Sequence, residues 1–153
     1  MGRWEEELDI IKRKKLERVL KNLRNGGGQT TVRIVIPVSD ERDLDAEISG
    51  HFGRAPYFAV LDLDPNGEIL EKRTVPNVGG QFGGTGQRAD QILALKPDAV
   101  ITFGMGPRGL SRFQYARVAV LKANVNTVRE AVEAYNRDEL VELTEGCHEA
   151  RHR

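Results

Sequence analysis

Residues 31–38 read Thr-Val-Arg-Ile-Val-Ile-Pro-Val, a short run that is β-branched and apolar. Such a run is a strand buried in a sheet, and the rest of the chain must be arranged around it. Two more runs of this kind follow, Asp98–Phe103 with Ala99-Val100-Ile101 at its centre, and Val118–Leu121. Helical patterns alternate with them. Residues 85–95 place Ala89, Ile92, Leu93 and Leu95 on an apolar face closed by Pro97, and Gly104–Gly109 is a tight turn into a helix over Leu110–Arg117. Thr127 caps a last helix, Val128–Asn136, and Glu130 three positions on completes a capping box. Strands that alternate with helices imply right-handed crossovers and parallel pairing.

Between residues 38 and 85 the pattern changes. A polar stretch, Ser39–Ser49, is rich in Asp and Glu. Tyr57–Leu63 then alternates and ends in Asp64-Pro65-Asn66-Gly67, a tight turn into a partner strand, Glu68–Val75. This hairpin adds an antiparallel strand. The expected fold is α/β: a three-layer sandwich around a mixed sheet of five strands.

The organisation follows from composition shifts. The chain has 153 residues, which suits one domain. Residues 3–24 hold no Gly or Pro, and Trp4, Leu8, Ile11, Leu16, Val19, Leu20 and Leu23 recur at helical steps. Residues 1–25 are therefore expected as an amphipathic helical extension and 26–30 as a glycine-rich linker. The α/β domain takes 31–145, and 146–153 is a flexible tail. Lys plus Arg and Asp plus Glu are 23 each, so the formal net charge is zero. That sum hides a division: residues 3–24 carry eight basic and five acidic residues, and the remainder 15 basic and 18 acidic. The cluster Lys12-Arg13-Lys14-Lys15 reads as a solvated helix face, and nucleic acid is not an expected partner. The apolar stripe allows a homodimer through the helix, although it breaks near Lys14 and Lys15.

One cysteine, Cys147, excludes an internal disulfide and a four-thiolate metal or cluster site. No apolar run reaches the ~18–20 residues of a membrane span, and the charged start is no secretory signal. The expected setting is the reduced cytoplasm.

Four segments bear on chemistry. The first is Ser49-Gly50-His51-Phe52-Gly53-Arg54. Its glycines let a ligand approach the backbone, and His51 is either a metal ligand or a loop imidazole bonded to its own turn. The second, Gly104-Met105-Gly106-Pro107-Arg108-Gly109, satisfies G-x-G-x-x-G and opens a helix whose free amides suit an anion. No acid stands at the end of the next strand to hold a ribose, Glu130 lying inside the last helix, so NAD is rejected. A structural strand-to-helix turn is the other reading. The third, Gly79–Arg88, includes Gly83-Gly84-Thr85-Gly86-Gln87-Arg88 and resembles a phosphate cradle without the Lys-Ser/Thr pair of a P-loop. It is a flap over a ligand or a plain loop, and no ATP chemistry is expected. The fourth, Cys147-His148 with His152, is an accessory metal site or simply a frayed end. Asp40, Asp43, Asp45 and Glu47 lack EF-hand spacing and read as solvated acids. No nucleophile stands with a base, so the chain is not expected to be an enzyme.

Val32–Val38, then Ser49-Gly50-His51-Phe52-Gly53-Arg54-Ala55 with Tyr57-Phe58, then Gly104-Met105-Gly106-Pro107-Arg108 resemble the dinitrogenase iron–molybdenum cofactor biosynthesis family. That family holds the NifX-like carriers and the C-terminal part of NifB. The resemblance covers residues 31–145 and leaves the N-terminal arm outside. It implies a ribonuclease H-like fold without ribonuclease activity. It also implies binding of a metal–sulfur cluster, the iron–molybdenum cofactor or a precursor, for transfer between cluster-donating and cluster-accepting proteins. His51 aligns with the histidine that is a candidate cluster ligand, and Gly104 and Gly106 with the glycine turn. Gly53, Gly84 and Gly86 join these as expected contacts, Arg54, Arg88 and Arg108 as the charges that neutralise the cluster, and Cys147 and His148 as accessory ligands. Two other functions remain open: a module for an anionic small molecule such as a nucleotide or phosphate ester, and an interaction adaptor using the helical arm.

Overall fold

A computed structural model describes residues 31–50, 52–77 and 91–144. The expected helical arm, the linker, the whole of the flap and the C-terminal tail lie outside the described residues.

The strand expected at residues 31–38 is β1, Val32–Val38, third in a six-stranded sheet. β2 (Tyr57–Leu63) pairs antiparallel with β1, Val38 opposite Tyr57 and Val32 opposite Leu63. β3 (Ile69–Pro76) continues the meander at one edge. On the other side β4 (Ala99–Thr102) runs parallel to β1, and β5 (Ala119–Lys122) parallel to β4. β6, Val141–Glu142, lies antiparallel on β5 and makes the spatial order β3-β2-β1-β4-β5-β6. The expectation of five strands is thus corrected to six. A two-residue strand whose Val141 is exposed carries no alternation that a sequence could display.

Helices cover both faces. Ile34, Ile36 and Val38 of β1 point to one side, where α2 (Val128–Asn136) packs through Val128, Ala131, Val132 and Tyr135. Val35 points to the other, with Val60, Val100 and Val120, beneath Ile92 and the α1 residues Leu110 and Phe113. α1 runs Pro107–Tyr115, starting three residues before the expected Leu110 because Pro107 occupies the first helical position. Residues 91–93 are helical as well. No helix among the described residues is long and apolar enough to cross a membrane.

Helix ends share one device. Arg117 and Asp138 have φ of 64° and 58°. After α1, Arg117 donates to Gln114 and Val118 to Phe113; after α2, Asp138 donates to Tyr135 and Glu139 to Ala134. Both are Schellman closures built without glycine. At the start of α2, Thr127 accepts from the Glu130 amide at 3.3 Å while Glu130 accepts from the Thr127 amide at 3.2 Å, the expected capping box.

At the amino end of β1, Arg33 clamps Asp62 through Nε (2.8 Å) and Nη2 (3.2 Å) and donates Nη1 to the Leu95 carbonyl. Asp62 in turn holds the guanidinium firmly protonated.

The acidic stretch after β1 is stitched rather than loose. Ile48 bridges Val38, Glu47 bridges Thr127, and the Ile48 amide donates to Asn126 at 2.8 Å. Asp40 pairs with Arg42, Asp43 with Lys72 and Asp45 with Arg129. These acids bind neighbouring cations, and no group of three His, Cys, Asp or Glu able to hold a metal occurs among the described residues.

Candidate functional site

Chain direction decides where a site can be. From β1 the chain passes to β2 on one side; from β4 it passes through α1 to β5 on the other. Adjacent parallel strands whose connections leave in opposite directions open a crevice at their carboxyl ends. That edge receives two of the expected segments. Residues 49–56 end where Tyr57 pairs Val38, and residues 103–106 leave β4 for α1.

The apolar residues of these segments meet. Phe52 opens a single 3-10 turn, Phe52–Arg54, and its ring stands edge-on to Phe113 of α1, centroids 6.0 Å apart and planes at 87°. Ala55 and Met105 join the same cluster. Met105 also lies under the first turn of α1: a Cβ on Gly109 would come 3.2 Å from its Cγ. The two motif loops therefore share one apolar footing.

Around that footing the polar surface is open. Gly106 is the N-cap of α1, with φ −67° and ψ 163° and no side-chain capping bond. The Arg108 and Gly109 amides find no acceptor among the described residues. Among the described residues, a Cβ added at Gly50 or Gly106 would meet nothing within 4 Å, and neither has a positive φ. The described fold does not require glycine at either position, and the described residues leave space for a ligand against the backbone. Arg54 and Arg108 are exposed, and neither forms an ion pair among the described residues. Residues 103–118 contain Arg108, Arg112 and Arg117 and no acid. The first turn of α1 thus holds a cation where the helix dipole favours an anion.

Asn77 was not singled out from the sequence. At the end of β3 its backbone amide donates to Pro56 at 2.9 Å and its side-chain amide to Ala55 at 2.7 Å. It thereby ties the far edge of the meander to the loop after residue 51. Its Oδ1 is buried and lacks a hydrogen-bond partner among the described residues. Only the Pro-Asn pair hinted at a turn there.

Of the expected site residues, Gly53 and Gly104 are half-buried beside the shared cluster, and Arg54, Gly106 and Arg108 are exposed. His51, Gly84, Gly86, Arg88, Cys147 and His148 lie outside the described residues.

Residues 32–138 match a protein family described as dinitrogenase iron-molybdenum cofactor. Over 106 residues the chain is 28% identical to an uncharacterized protein of Methanocaldococcus jannaschii, covering 68% of this chain and 85% of that one. The solution structure of a candidate NifB protein from Thermotoga is 28% identical, with a TM-score of 0.61 over 74% of this chain and 94% of that one. The apo form of the orange protein from Desulfovibrio gigas gives a TM-score of 0.64 at 21% identity, covering 74% and 93%. The last is a likeness of fold.

Proposed function

The chain belongs to the dinitrogenase iron–molybdenum cofactor family, and from that membership we propose that it binds a metal–sulfur cluster and hands it to a partner protein. The cargo is the iron–molybdenum cofactor or a related or precursor cluster. In this reading His51 is the protein ligand to a metal of the cargo, and Cys147 and His148 are accessory. Gly53, Gly84, Gly86, Gly104 and Gly106 let the cargo approach the backbone, and Arg54, Arg88 and Arg108 offset its negative charge.

The observation that carries the reading is the meeting of two loops at the carboxyl ends of the parallel strands β1 and β4. Two glycine-bearing loops converge where an α/β sheet opens, with uncovered space at Gly50 and Gly106 and arginines free to face an anion. The chain's own part is limited and reversible: imidazole nitrogen to metal, backbone amides to sulfides, guanidinium to net charge. With a single cysteine, the cluster arrives with its own sulfides and leaves by breaking few bonds. The role is non-catalytic and cytoplasmic, with cluster-donating and cluster-accepting proteins as partners. The order β3-β2-β1-β4-β5 with β2 reversed supports the ribonuclease H-like relation.

Elemental analysis of anaerobically purified full-length protein beside His51→Ala tests the proposal. Stoichiometric iron, with or without molybdenum, in the wild type and its loss in the variant are expected. Equal metal in both removes His51; metal in neither, after loading with a cluster or thiomolybdate, overturns the carrier reading. One observation favours a second reading, an anionic small molecule: the uncapped start of α1. Metal-free binding that inorganic phosphate displaces would select it.

A further inference from the structure

We propose that the exposed face of α1 is a docking surface for an acidic partner protein, with Arg112 and Tyr115 at its centre. The proposal needs neither metal nor cargo and goes beyond the carrier reading.

α1 turns Gly109, Leu110 and Phe113 inward. Arg108, Ser111, Arg112 and Tyr115 lie outward, spaced by three and four residues, and all four are exposed. Residues at these spacings are neighbours on one helix face, so the four form a single stripe about 10 Å long. Tyr115 is 93% exposed, the most exposed large apolar side chain among the described residues. Its ring adds nothing to the core, and Tyr and Arg are the side chains that protein interfaces favour.

The chain that carries the stripe has charge of one sign. Residues 99–129 hold Arg108, Arg112, Arg117, Lys122 and Arg129 and no acid. The described residues as a whole carry 15 acids against 12 Lys and Arg, so this basic stripe is set in an acidic domain. α2 is the contrast. Its outward residues mix signs, Arg129 with Glu130 and Glu133, and Arg129 is paired with Asp45. A stripe of one sign is complementary to a surface of the other. A nucleic acid would bring its phosphates against a domain that is acidic as a whole, whereas an acidic patch on a protein meets the stripe alone. The stripe starts two residues beyond the Gly106 cap, so a partner lying along α1 stands beside the two glycine loops. A contact of this size is weak and screened by salt, as a transient encounter requires.

The test titrates the full-length protein with a peptide of repeated Glu-Leu-Glu, and with its Gln-Leu-Gln counterpart, while amide chemical shifts are followed. The acidic peptide should shift the amides of residues 108–117 and bind less tightly as salt is raised; the Gln peptide should not bind. Arg112→Gln and Tyr115→Ala should each weaken the acidic peptide about fivefold. Both side chains are exposed, so an unchanged Tm is expected, and Tyr115→Phe should bind as the wild type does. Equal binding of the two peptides, binding of neither, shifts confined to other elements, or full affinity in either variant overturns the proposal. So does an oligothymidylate that binds α1 more tightly than the acidic peptide at equal salt, which makes the surface one for nucleic acid. No metal enters the titration, so the carrier reading stands or falls separately on metal content.

Discussion

The side-chain amide of Asn136, the last residue of α2, donates to the carbonyl of Gly67 at 3.0 Å. It thereby locks the β2–β3 turn to the carboxyl end of α2. Gly67 has φ 91°, and a Cβ there would lie 2.5 Å from Asn136 Oδ1. Gly67→Ala should therefore cost about 1–3 kcal/mol, measured by urea denaturation. In an Asn136→Ala background the clash disappears and only the left-handed backbone remains, so the two losses should sum to more than the double mutant shows. Strict additivity would mean that the amide moves aside freely.

Arg117 and Asp138 pay for left-handed closures that glycine makes without steric penalty. Arg117→Gly and Asp138→Gly should each stabilise by about 0.5–1 kcal/mol, the larger gain at Arg117 because Asp tolerates this region better. Thermal melts check this: a raised Tm for both is expected, and a fall would place the value of Arg117 or Asp138 in its side chain.

Arg33 holds Asp62 bidentately, with 32% and 12% of the two side chains exposed. Removing only the cation leaves a nearly buried carboxylate and the Leu95 carbonyl without their donor. Arg33→Met should cost about 1–3 kcal/mol, less than for a fully buried pair. Arg33→Met with Asp62→Leu should recover most of it, which chemical denaturation of the three variants would show.

Asp40 and Glu130 are held below the usual carboxylate range, Asp40 chiefly by the Arg42 guanidinium and Glu130 by the Asn126 and Thr127 amides. A lowered folded pKa means that the unfolded chain binds the proton more readily. The stabilisation is complete above the unfolded value and is lost as pH falls through the folded one. Glu130→Gln should thus be less stable than wild type at neutral pH and converge with it once the pH has fallen below the usual carboxylate range. Melts across that range test it; a gap independent of pH would show that the capping charge contributes nothing.

Gly106 has the extended backbone of an N-cap and lacks only the side chain. Gly106→Ser should supply the missing bond and raise stability by a few tenths of a kcal/mol. The same hydroxymethyl group would enter the crevice and engage the free amides, so metal content after anaerobic purification should fall. Stability gained with uptake intact would separate α1 from the cargo site.

Much of this was written locally. β2 and α2 fall on their expected residues because a short, mostly apolar run closed by a Pro-Asn-Gly turn and a Thr-x-x-Glu box are each complete within the segment, although β2 is buried along nearly its whole length and does not alternate as expected. β6 is two residues long, and α1 begins within a glycine motif that reads equally as turn, so neither had a local signal of its own extent. The same limit applies to the site. Each loop is conspicuous for its glycines, yet nothing near Phe52 specifies Phe113, and nothing near Asn77 specifies Ala55. Those pairings come from the order of strands in the sheet.

The strand order also sets a timetable. β2 and β3 close through the turn at residues 64–67 and β1 meets β2 across residues 39–56, whereas seating β4 joins Arg33 to Asp98, 65 residues on. Closing that distance carries the larger entropic cost and comes after the local meander. A chain still leaving the ribosome therefore has its β1–β3 meander before residues 46–48 meet their backbone partners at Asn126–Val128. On the proposed carrier reading, cargo capture is then a property of the finished domain, and an unfinished chain lacks the second of the two loops that would face a cluster.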